Sequence, residues 1–159
     1  MPHSHTDEGW LATTNDTLTG DDDNATFTGG VRDILDSVVE QLAKDGKSNR
    51  TFAFAQTKMF KEWYDIQSNI TKDKVKELVK AGRLDLVNGG WTTPDEATTQ
   101  FDSLIDNFMV GQQWLQNEFG HHSKVSWSID ALGISSGYAR LARDVGFDMM
   151  VYSKINSYE

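Results

Sequence analysis

From residue 31 to residue 152 the chain switches repeatedly between a helical period and short apolar runs. Val31, Ile34, Leu35, Val38, Val39 and Leu42 fall at i, i+3, i+4, i+7, i+8 and i+11, the stripe of an amphipathic helix that ends near Gly46. Thr51 to Gln56 is short and aromatic-rich and reads as a strand. A short helix through Met59, Trp63 and Tyr64 follows, its aromatics read as core. The next helix is expected to start with Thr71 as N-cap, with Ile70 and Val75 as a hydrophobic staple, and to bury Val75, Leu78 and Val79. Gly82 suits its C′ position, and Leu84 to Val87 is a strand. Phe101, Leu104, Ile105, Phe108, Met109, Leu115 and Phe119 mark a long helix closed by Gly120. Val125 to Ile129 is a strand, Tyr138 to Val145 a helix ending at Gly146, and Met149 to Tyr152 a last strand. This α/β alternation, without internal repeats or linkers, implies a parallel sheet with helices packed on it. Ligands in such sheets sit at the carboxyl ends of the strands.

The 159 residues suffice for one ordinary domain with its own core. A formal net charge of −9 argues against a nucleic-acid partner, which needs a basic patch. Without cysteine there is neither a disulfide framework nor a thiolate metal site. No apolar run is long enough for a membrane span, and with Met1 directly before Pro2 no signal peptide is visible. Residues 11–30, rich in Thr, Asp and Gly, read as a loop, and the Asp21-Asp22-Asp23 run lacks the alternating ligand spacing of a calcium loop. Asn-x-Thr sequons at Asn15, Asn24, Asn49 and Asn69 are glycosylation acceptors in a secretory protein and polar loops otherwise.

Chemistry concentrates in Pro2-His3-Ser4-His5-Thr6-Asp7-Glu8-Gly9-Trp10. His5 and Asp7 are two apart, so in an extended segment both side chains lie on one side, and imidazole with carboxylate suits zinc. Trp10 adds a flat apolar face of the kind that packs on a sugar ring. By spacing alone the plainer reading, a terminal loop with surface histidines, comes first. Asp130, directly after a strand, could equally cap the next helix, as Asp95 could cap the helix that follows it. His121 and His122 sit at a helix C-terminus, where a cation suits the dipole, and read as surface residues. Trp91 and Trp127 read as core or pocket wall.

Three blocks together go further. Pro-His-Ser-His-x-Asp-x-Gly-Trp at residues 2–10 resembles the opening motif of the family 38 glycoside hydrolases, the retaining class II alpha-mannosidases. Asn88-Gly89-Gly90-Trp91 with Pro94-Asp95-Glu96-Ala97 is similar to a second family block, and Trp127 to Ser135 to a third. The flavour is that of the lysosomal-type members. The resemblance implies part of an irregular seven-stranded β/α barrel, with residues 1–159 as a partial N-terminal catalytic domain, its barrel incomplete at both ends. It implies a zinc-dependent mannosidase that releases terminal alpha-linked mannose from oligosaccharides or N-glycans in a lysosomal or other secretory compartment.

The same resemblance assigns the nucleophile to Asp130, zinc ligation to His5, Asp7 and Asp130, and sugar contacts to Trp10 and Lys154. Retaining glycosidases pair two carboxyls about 5–5.5 Å apart, and the family's acid/base and fourth zinc ligand fall outside these residues. Asp95 is implied to be structural support. Three positions depart from the family pattern: Ile134 for histidine, Lys154 for arginine and Gln56 for glutamate. Lysine keeps the charge but loses the planar fork. Two other readings remain open: a mannose-binding remnant without activity, and a metal-dependent carbohydrate deacetylase, although the H-x-x-x-H helix of the latter is not visible.

Overall fold

The computed structural model describes residues 1–21, 29–44 and 49–153. They form two compact units, one of residues 1–54 with 58–85, the other of 55–57 with 86–159. The elements run α1 (Thr14–Thr19), α2 (Val31–Lys44), β1 (Phe52–Phe54), α3 (Thr57–Asp65), α4 (Asn69–Lys80), β2 (Leu84–Leu86), α5 (Phe101–Phe119), β3 (Val125–Ser128), α6 (Ser136–Val145) and β4 (Met149–Tyr152). The fold is mixed α/β. No described helix is long and apolar enough to cross a membrane.

In the first unit α2 packs on α1 and α4. Its stripe buries Val31, Leu35, Val39 and Leu42, while Phe60 and Trp63 of α3 and Val75 of α4 are fully buried. Phe60 lies 5.4 Å from Trp63 and 6.2 Å from Tyr64, ring to ring, so those aromatics are core, as expected. The Trp63 Nε1–H, which burial would otherwise leave unpaired, donates to Asp36 Oδ1 at 2.8 Å. β1 and β2 form a two-stranded sheet, and the Phe52 N–H donates to the Arg83 carbonyl at 2.9 Å.

Four expectations are corrected here. Residues 11–30 are not all loop: Thr14–Thr19 is a helix, started by a capping box in which Thr13 and Asp16 exchange side-chain and main-chain bonds. The N-cap of α4 is Ser68, whose Oγ accepts from the Thr71 N–H at 3.2 Å; Ile70 is 71% exposed and staples nothing. Gly82 does take the C′ position, with Gly82 and Arg83 N–H groups on the Val79 and Leu78 carbonyls. Asn15 and Asn69 lie in helices, not polar loops, whereas Asn24, Asp22, Asp23 and Gly46 lie outside the described residues.

In the second unit β3 and β4 pair in parallel, Val125 opposite Met149 and Ser128 opposite Tyr152. The β1–β2 and β3–β4 pairs are separate two-stranded sheets, so a continuous barrel sheet is not seen among the described residues. The core of this unit is Leu104 and Phe108 of α5 with Tyr138, Leu141 and Ala142 of α6 and Phe147. Phe101 and Met109, read from the sequence as part of the α5 stripe, are 55% and 61% exposed. Asn88 to Trp91 is a packing device. A Cβ on Gly111 of α5 would lie 2.2 Å from the Gly89 carbonyl, so only glycine lets the helix approach that turn.

Candidate active site

In the first unit the candidate site residues lie on the segment from Pro2 to Trp10. His3 forms a parallel bridge with Ala53 of β1, and the Ala53 N–H donates to the Pro2 carbonyl at 2.9 Å. The segment thus enters as a strand stub beside β1 and releases His5 and Asp7 beyond it. His5 Nε2 and Asp7 Oδ1 are 3.1 Å apart, the two side chains 26% and 42% exposed. Glu8 points the other way. Its side chain is 12% exposed, with Oε2 3.5 Å from Lys58 Nζ of α3, and Lys58 also reaches Glu62 Oε1 at 3.2 Å. Burial raises the Glu8 carboxyl above its ordinary value, against the lowering pull of Lys58. Trp10 is 70% exposed.

In the second unit the candidate residue lies past the end of β3. Asp130, partly buried, stands two residues beyond Ser128. The alternative in which Asp130 caps the following helix is overturned: α6 starts at Ser136, and its cap is Ser135, whose Oγ accepts from the Tyr138 N–H at 3.0 Å. Asp95 caps no helix either, since α5 begins after Gln100 without a side-chain cap bond. Asp95 Oδ1 accepts from the Ala97 N–H at 3.2 Å and the Leu132 N–H at 3.3 Å, and Oδ2 accepts from the Thr98 hydroxyl. Glu96 Oε2 accepts from the Ser135 N–H at 2.7 Å.

Burial is the main cause that raises the Glu96 carboxyl. Tyr152 is pushed up to about 12, first by burial and then by the nearby Glu96 charge. Tyr138 is also raised by burial, and its hydroxyl is paired with Ser126 Oγ at 3.1 Å.

The two histidines differ in surroundings from expectation, while Trp91 and Trp127 agree with it. His121 and His122 are half-buried rather than surface residues, and their ring N–H groups donate to the Leu86 and Val145 carbonyls at 3.2 and 3.3 Å. Trp127 is buried and Trp91 half-buried. Gln56 is buried, with Nε2 3.5 Å from Thr93 Oγ1. Ile134 is 46% exposed. Lys154 lies outside the described residues. Sequence reasoning missed Glu8, Glu96 and Ser135; the signal for Glu96 was its place in the Pro94–Ala97 block.

The model of the glycosyl hydrolases family 38 N-terminal domain matches residues 1–159. The chain is 39% identical to an alpha-mannosidase of Canavalia ensiformis over 98% of its length and 16% of that protein. It is 35% identical to the lysosomal alpha-mannosidase of Homo sapiens, over 98% of this chain and 15% of that one. A crystal structure of an alpha-mannosidase from Enterococcus faecalis superposes with a TM-score of 0.66 at 18% identity, covering 76% of this chain and 13% of that chain. A 4-alpha-glucanotransferase from Thermococcus litoralis superposes at 0.55 and 15% identity, over 75% and 18% of the two chains. The chain thus spans about a sixth of the curated relatives named here, and with a family match over all of its residues it belongs to the glycosyl hydrolases family 38, as its N-terminal domain.

Proposed function

We propose that these residues belong to the catalytic domain of a zinc-dependent retaining alpha-mannosidase that removes terminal alpha-linked mannose from oligosaccharides or N-glycans. The observation that carries this reading is the family match over residues 1–159, with relatives named as alpha-mannosidases. In the full-length protein the domain closes as an irregular seven-stranded β/α barrel, and its compartment is lysosomal or otherwise secretory. The likeness to relatives named lysosomal supports that placement.

His5, Asp7 and Asp130 are the proposed zinc ligands. The 3.1 Å between His5 Nε2 and Asp7 Oδ1 supports the first two. Ligands bonded to zinc at about 2.0–2.2 Å stand about 3.4 Å apart in a tetrahedral site, so the pair has to open by only tenths of an ångström. Bound zinc supplies a Lewis acid that holds the sugar's 2- and 3-hydroxyls. Asp130 is the nucleophile: its carboxylate bonds to the anomeric carbon as the leaving-group oxygen takes a proton from an acid/base outside these residues, and water then cleaves the glycosyl ester with net retention. Trp10 offers its exposed face to the ring, and Lys154 a cationic contact.

Substitution in the full-length protein separates the roles. Asp130→Asn keeps the shape and removes the charge, so turnover of a nitrophenyl alpha-mannoside is lost, about 10⁴-fold or more if the covalent step is removed. His5→Ala weakens zinc but leaves the nucleophile, and excess zinc restores part of its activity. A fluorosugar inactivator labels Asp130. Label on Asp7 or Asp95, or near-wild-type turnover by Asp130→Asn, overturns the assignment.

A further inference from the structure

Asp130 sits at the middle of a short span that is held at both ends. Behind it, Ser128 is the last paired residue of β3. Ahead of it, the Leu132 N–H is held by Asp95 at 3.3 Å and the Ser135 N–H by Glu96 at 2.7 Å. Between those two fastenings the loop runs close to the same turn, since a Cβ added at Gly133 would lie 3.0 Å from the Ala97 Cβ. One turn, Asp95 to Ala97, therefore holds the loop after the nucleophile by two main-chain N–H groups.

The Glu96 contact is the shortest of them and is charge-assisted, a class roughly twice as strong as a neutral hydrogen bond. Its other oxygen, Oε1, is buried with no partner among the described residues. A carboxylate kept there bears a desolvation cost that an exposed surface residue avoids. Nor is Glu96 needed to start α6, since Ser135 caps that helix through its own Oγ, and α6 is secured by Tyr138, Leu141 and Ala142 in the core. What Glu96 adds is the place where the loop ends.

We infer that Glu96 is a positioning residue: by holding the Ser135 main-chain N–H it fixes the loop that follows Asp130 and so sets where the Asp130 carboxylate stands. The inference rests on the nucleophile reading of Asp130 given above. A misplacement of about 1 Å at a reacting group can cost on the order of 10²-fold in rate.

The test is steady-state kinetics of the full-length protein on a nitrophenyl alpha-mannoside. Glu96→Ala is expected to lower kcat by roughly 10- to 100-fold while KM stays within about threefold. Glu96→Gln keeps a carbonyl oxygen for the Ser135 N–H and restores kcat to within about threefold of wild type. A merely structural role moves the melting temperature without producing this split or this rescue. Glu96→Ala with wild-type kcat, or Glu96→Gln as impaired as Glu96→Ala, overturns the inference. If Glu96→Ala does not fold, Glu96→Asp, one methylene shorter, is read instead: a lowered kcat at unchanged KM supports the role and a wild-type kcat ends it. Asp130→Asn is assayed alongside. An active Asp130→Asn removes the nucleophile reading itself, whereas an inactive one beside an unaffected Glu96→Ala removes only the positioning role.

Discussion

Asn88 has φ +64° and is fully buried, a conformation that costs most side chains energy and that asparagine tolerates better than most. Its N–H donates to the Val125 carbonyl at 2.7 Å, and its Oδ1 accepts from the Trp127 N–H at 3.2 Å. One residue thereby ties the turn after β2 to both ends of the first three positions of β3. Asn88→Gly keeps the backbone conformation and loses the side-chain bond. Asn88→Ala loses both, at about 1–2 kcal/mol for the left-handed backbone and a further 1–3 kcal/mol for an unpaired buried N–H. The expected order of urea midpoints is wild type, Asn88→Gly, Asn88→Ala, and an Asn88→Ala chain as stable as wild type refutes this account. The positions of His5, Asp7, Asn88 and Asp130 were legible in the sequence as motif residues. Their partners were not, because Asn88 with Trp127 and Glu96 with Ser135 are each 39 residues apart, and local pattern carries no such pairing.

Elements were legible to the degree that a stripe or a cap announced them. The α5 and β4 boundaries agree with the sequence reading because an apolar period ends at Gly120 and an apolar run is confined to residues 149–152. α1 was missed because it buries only Thr17 and Leu18, too little for a stripe, although Thr13 and Asp16 stand at capping-box spacing. The start of α4 was placed three residues late because Ser68 and Thr71 are both good caps, and only the structure shows Ser68 accepting the Thr71 N–H. Ser68→Ala is therefore expected to cost about 1 kcal/mol, the usual worth of a cap. Thr71→Ala should cost less, since among the described residues its hydroxyl pairs with Ser68 Oγ alone, at 3.1 Å. Thermal melts of the two variants decide it, and a larger loss for Thr71→Ala reverses the assignment. The parallel pairing of β3 with β4 was legible, but short strands of three or four residues do not tell how many pairs share one sheet.

Taken as a whole, the chain carries a formal charge of −9 at pH 7 and has a sequence pI of about 4.8, so raising the pH adds self-repulsion. Its perturbed carboxyls act in two opposite senses. Glu40 and Asp144 are lowered by hydrogen bonds to Lys44 and Arg140, so their contribution is present above their unfolded values of 4.5 and 3.8 and is lost as the pH falls through the folded ones. Glu96 is raised by burial, so the folded chain holds that proton more tightly than the unfolded chain. Its contribution is present below 4.5 and is lost as the pH rises through the folded value. Glu8 has the same sign. The two senses meet near the pI, where net charge is also least, and stability is expected to peak at mildly acid pH, roughly 4.5–5.5, and to decline toward pH 8. Glu96→Gln is neutral at every pH, so its urea midpoint should fall less steeply than wild type as the pH rises above 4.5. Midpoints measured for both chains across that range test the account. A wild-type optimum above pH 7, or a Glu96→Gln curve parallel to wild type, removes the burial of Glu96 as a source of the pH dependence.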